Sequence, residues 1–97
     1  NRYEKFIKKI NKIDGKIAIF GTSIAATWIA QTVKNKNYVF IDQDFDKIGN
    51  LHMNKKIHSI NSLIDFEKII MPFRRDVALV IIKRLQIPKK RFILLDK

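Results

Sequence analysis

Short apolar runs alternate with helical segments along this chain, and that alternation limits its fold more than any other feature. The runs at 16–20, 38–41, 68–71 and 91–95 are rich in Ile, Val, Leu and Phe. Apolar runs of this length, without polar alternation, suit strands buried on both faces. Residues 24–33 read as a helix apolar on most faces, and so packed on a sheet. Residues 74–86 place Val77, Ala78, Ile81, Ile82 and Leu85 on one helical face, and Pro88 ends that helix. Strand–helix alternation implies a parallel sheet with crossover helices, an α/β architecture.

The remaining segments fill in around this frame. Tyr3, Phe6, Ile7, Ile10 and Ile13 recur at helical spacing over residues 2–13, a leading amphipathic helix ended by Asp14-Gly15. Residues 35–37 read as a turn, and residues 45–54 as a loop with a helical turn and a bend at Gly49-Asn50. Residues 56–60 suit a short edge strand, and Asn61 or Ser62 a cap for a brief helix over 62–66. By composition alone residues 76–82 also resemble a strand. That reading leaves no room for a crossover before Phe92, so the strand–helix–strand reading of 68–95 is preferred. The sheet then has about five strands.

The 97 residues suit one domain, and 46% hydrophobic content lets it bury a core. Cysteine is absent, which excludes disulfides, a thiolate nucleophile and Cys-type metal sites. No apolar run approaches the ~20 residues of a membrane span. The first residues are polar and charged rather than a signal peptide, so a soluble cytoplasmic protein is expected. The chain does not begin with Met, and a piece of a longer protein is expected. The net charge of +11 raises an anionic partner, but the lysines are spread along the chain. No aromatic residues alternate with them as a single-strand stacking platform requires, so nucleic acid is not the expected main partner.

Chemistry gathers at Gly21-Thr22-Ser23-Ile24-Ala25-Ala26, after a predicted strand and opening a predicted helix. That is the context of the dinucleotide fingerprint G-x-G-x-x-G/A. Gly21 allows the tight turn, and Ala26 is small enough for close helix–strand packing. Ser23 replaces the middle glycine; it can cap the helix or donate its hydroxyl to a phosphate. Asp42, about 20 residues on at the end of the next strand, stands where the fingerprint expects a ribose-binding acid. Asp42 and Asp44 can equally end a strand and cap a turn. His52 and His58 lack acids at ligand spacing and read as surface or packing histidines. Trp28 and Phe20 read as core, and Phe73 as a loop or pocket wall.

The phrases KIAIFGTSIAATWIAQTV, YVFIDQDFDKIGN, KKIHSINSL, KIIMPF and IPKKRFILLD together resemble a known group. They are similar to the small Rossmann-like domains of bacterial surface-carbohydrate enzymes. These are the nucleotide-binding domain of sugar O- and N-acyltransferases and the C-terminal domain of sugar C-methyltransferases. The resemblance runs from Lys16 to Asp96. It implies a nucleotide, nucleotide-sugar or NAD(P) bound at the carboxyl ends of the strands. The implied binding residues are Gly21, Thr22, Ser23, Ile24, Asp42, Gln43, Asp44, Pro72 and Phe73. The acyltransferase domains usually carry a His soon after the glycine turn, where this chain has Ala25, Ala26 and Thr27. Two other readings stay open: a structural or homo-oligomerisation domain with a decayed pocket, and a basic module for nucleic acid or an acidic protein.

Overall fold

Strand β1 (Ile17–Phe20) is buried at every residue, and the rest of the chain is arranged around it. The computed structural model describes residues 2–95. In chain order the elements are α1 (Arg2–Asn11), β1, α2 (Ile24–Thr32), β2 (Tyr38–Asp42), β3 (Leu51–His52), β4 (Lys55–Ser59), β5 (Ile69–Met71), α3 (Arg75–Leu85) and β6 (Phe92–Leu94). Two 3-10 helices, Ile60–Asp65 and Lys89–Arg91, precede β5 and β6.

The sheet has six strands in the order β3-β4-β2-β1-β5-β6. All neighbours pair in parallel except β3 and β4, which are antiparallel. Without β3, the parallel strands run third, second, first, fourth, fifth in chain order, the arrangement of the Rossmann doubly wound sheet. The order reverses between β1 and β5. Side chains of β1 alternate between two cores. Ile17 and Ile19 join Phe6 and Ile10 of α1 and Ala26, Ile29 and Ala30 of α2. Ala18 and Phe20 join Leu63 of the first 3-10 helix and Ala78 and Ile82 of α3. Each fully buried Ile of these cores stabilises the fold by roughly 1.5–3 kcal/mol.

Polar side chains close the connections. Asn35 Nδ2 donates to the carbonyls of Ile13 and Gly15, fixing the end of α1 against the turn before β2. Lys36 Nζ donates to the carbonyls of Ala30 and Gln31, which have no partner of their own at the C-terminus of α2.

The structure differs from the sequence reading in four places. The strand missed is β3, and β4 is therefore not the sheet edge. The turn between them, Met53-Asn54, has positive φ at both residues, 52° and 62°. This is the geometry of a two-residue hairpin, usually announced by Asn-Gly or Asp-Gly, and Met-Asn gives no such signal. The brief helix is a 3-10 segment preceded by Ser59, with no side-chain cap from Asn61 or Ser62. Trp28 is not core: it is 43% exposed and packs edge-on against Tyr3. Among the described residues no helix is long and apolar enough to cross a membrane.

Candidate functional site

Parallel strands leave their carboxyl ends together on one side of the sheet, so the segments after β1, β2 and β5 meet there. Gly21 leaves β1 with φ +88°, a conformation that L side chains rarely adopt, and its N–H donates to the Ile41 carbonyl at 2.6 Å. This bond holds the turn against the last residues of β2. Thr22 then aims its hydroxyl at Asp42 and donates to Oδ2 at 3.3 Å. Ser23 is the N-cap of α2, its Oγ accepting from the Ala26 N–H at 3.1 Å. The Thr27 N–H bonds the Ser23 carbonyl. The N–H groups of Ile24 and Ala25 are left without intrahelical partners at the positive end of the helix dipole.

Asp42 ends β2 with its side chain 13% exposed. Oδ1 accepts from the Asp44 N–H at 3.0 Å, and Lys47 Nζ stands 4.0 Å from Oδ2. A carboxylate offers about four lone-pair sites, so these contacts leave acceptor capacity for hydroxyl donors. Lys47 is half-exposed, and its attraction across this distance is weak.

Phe73 supplies the wall. It lies edge-on to Phe20 with ring centroids 6.1 Å apart, and its Cζ is 3.5 Å from where a Cβ on Gly21 would sit. Pro72 beside it is buried. Gln43 and Asp44 are exposed, and the Asp44 carboxylate accepts from the Asp46 N–H within its own loop. Ile24, 90% exposed, and Phe45, 88% exposed, leave apolar side chains in solvent just after β1 and β2. The structure thus joins Gly21, Thr22, Asp42 and Phe73, sets Ser23 and Ile24 at the helix start, and leaves Gln43 and Asp44 in the loop.

Sequence reasoning missed Lys47 and Phe45, whose only signal is their place in the loop after the acid. It also missed a polar bridge beside the turn. His52 Nε2 lies 2.8 Å from Thr27 Oγ1, which itself donates to the Ser23 carbonyl. Which of the two groups donates in this contact depends on the imidazole tautomer. The ring also packs edge-on against Phe40 at 4.7 Å, so His52 links β3 to α2 and β2. Both histidines are half-buried, and among the described residues no group of His, Asp or Glu is placed to hold a metal ion.

The grooves lined by Phe92 and Ile93, by Tyr3 and Trp28, by Gly15 and Asn35, and by Val39 and His58 lie elsewhere, and none of them includes Gly21, Ser23 or Asp42. One, lined by Tyr3, Glu4, Ile7, Lys8, Trp28 and Thr32, runs between α1 and α2. Another, of about 200 Å³, lies under the first 3-10 helix beside Val39 and His58, on the α3 face of the sheet. No protein-family model matches the sequence, and no curated protein matches it.

Proposed function

We propose that this domain binds a nucleotide-type small molecule at the carboxyl ends of β1, β2 and β5. The ligand class is a nucleotide, a nucleotide-sugar or NAD(P). In this reading it is the cytoplasmic ligand-binding domain of an enzyme of surface-carbohydrate biosynthesis, such as a sugar-modifying transferase. The observation that carries the reading is the hydrogen bond from Thr22, in the Gly21 turn, to Asp42 at the end of β2. It couples the phosphate side of a nucleotide site to the ribose side, next to the point where the strand order reverses. The N–H groups of Ile24 and Ala25 and the Ser23 hydroxyl would face phosphate. The free lone pairs of Asp42 would accept from ribose, and Phe73 would wall the site. Binding is the domain's contribution in this reading, and if there is catalysis, much of it belongs to another part of a parent chain or to a partner subunit.

A thermal-shift series with NAD, NADP, UDP, CDP, UDP-sugars and dTDP-sugars tests this. A ligand at ~100 times its Kd adds about 2.7 kcal/mol of stability. One nucleotide should raise Tm, and Asp42→Asn should remove that rise while keeping an acceptor for the Asp44 N–H. A series with no shift from any nucleotide would overturn the reading. One observation favours a purely structural or homo-oligomeric domain instead: the half-exposed Tyr3–Trp28 pair on the α1–α2 face. Sedimentation that shows a dimer, lost in Trp28→Ser, would support it.

A further inference from the structure

β6 has a strand on one side only. β5 pairs with it through Ile69–Phe92, Ile70–Ile93 and Met71–Leu94, and among the described residues no strand pairs with its other side. A strand at a sheet edge turns a row of N–H and C=O groups outward, a template for one more strand. Along this edge runs a groove of about 390 Å³ lined by Phe92, Ile93 and Leu94, with Lys9, Arg75, Lys89 and Lys90 as its polar side chains. The cations come from elements on both faces of the sheet. Lys9 lies in the last turn of α1, Arg75 opens α3, and Lys89 and Lys90 form the 3-10 helix leading into β6. No acidic side chain lines the groove among the described residues.

The charge decides what can dock. Two copies of this edge brought together would oppose their cations, and like charges across a strand pair are destabilising. Lysines on an edge disfavour pairing with self for this reason. The same field favours a strand of opposite sign. An added strand sends alternate side chains to opposite faces, and acidic residues along it would come near Arg75, Lys89 and Lys90. Nucleic acid would satisfy the charge but has no row of amide groups to pair with the edge.

We propose that the β6 edge is a docking site for an extended acidic peptide segment of a partner protein, which adds as a strand beside β6. Backbone hydrogen bonds supply the register, and the cations supply selectivity and a fast, salt-dependent association.

The test uses a fluorescein-labelled eight-residue peptide alternating glutamate with threonine or valine, followed by anisotropy at low salt. It should bind, and its lysine-for-glutamate counterpart should not. Methylating alternate backbone nitrogens, which removes one edge's donors but keeps the charge, should weaken binding tenfold or more. The double variant Lys89→Glu/Lys90→Glu changes exposed side chains, should keep the parent Tm, and should weaken binding about fivefold or more. Absence of binding, or equal binding of the methylated peptide, would overturn the proposal. So would a single-stranded oligonucleotide of equal charge that binds more tightly than the peptide, which would make the groove a simple polyanion surface.

Discussion

Replacing Gly21 with alanine separates two reasons a turn can require glycine. A side chain can be excluded because space is lacking or because the backbone is unfavourable. Here the nearest atom to an added Cβ is Phe73 Cζ at 3.5 Å, an ordinary contact, so space is not the obstacle. The obstacle is φ +88°, held by the bond to Ile41. Holding a non-glycine residue in such a region costs about 1–3 kcal/mol. The loss of unfolded-chain freedom on replacing glycine returns about 0.4–1 kcal/mol of that. A net loss of about 1–2 kcal/mol follows. For a domain of this size that lowers Tm by roughly 5–15 °C. Thermal and urea unfolding of Gly21→Ala, Gly21→Asn and Gly21→Val measure it. Strain predicts that Asn, which tolerates positive φ, costs least, that Ala is already damaging, and that Val costs most. An alanine variant with an unchanged Tm beside a strongly destabilised valine variant would refute the argument, because only a shortage of space gives that pattern.

Other substitutions probe the frame around the site. Ser23→Ala removes the cap on the Ala26 N–H and should cost about 1 kcal/mol in urea unfolding, with Ser23→Gly costing less. Asn54→Gly places the favoured residue at the second position of the β3–β4 turn and should stabilise by about 0.5–1 kcal/mol, visible as a higher Tm. Lys55→Met keeps the stem over the Tyr38 ring but removes donations to the carbonyls of Lys36 and Tyr38. It should lower stability by about 1 kcal/mol in chemical unfolding. Ile70→Ala opens a cavity in a fully buried strand and should cost about 2–5 kcal/mol, which calorimetry would register.

Much of the fold was legible because the parallel strands are buried on both faces. Ile17–Phe20 and Ile69–Met71 are apolar at every position for that reason, and Pro72 marks where the latter stops. The choice of α3 over a strand at 76–82 rested on chain length between strands, and Ala78 and Ile82 are the buried face of that helix. The β3–β4 hairpin was not legible. Its edge strand is two residues long, and Met53, whose side chain packs against the core, takes positive φ without any local residue signal for it. Composition ranks Trp28 as core, but only three-dimensional packing shows that Phe6 and Ile10 already fill the space between α1 and the sheet. In the site, Gly21 and Asp42 stood out by spacing along the chain. The Thr22–Asp42 bond and the His52 bridge join residues far apart in sequence, and no local pattern signals them.

The central position of β1 also sets the order in which the molecule can assemble. β1 reaches β2 across a single connection, Ile17 meeting Tyr38, and β5 reaches β6 likewise, Ile69 meeting Phe92. Joining the halves pairs Ala18 with Ile69, more than a doubling of the closed loop, which costs about 0.8 kcal/mol more in chain entropy. We therefore expect β1-α2-β2 to form in the rate-limiting step, with β5-α3-β6 docking onto it afterwards. Phe40→Leu should then slow refolding in stopped-flow measurements, whereas Ile69→Val should chiefly speed unfolding. The reverse pattern would place the nucleus in the second half of the chain.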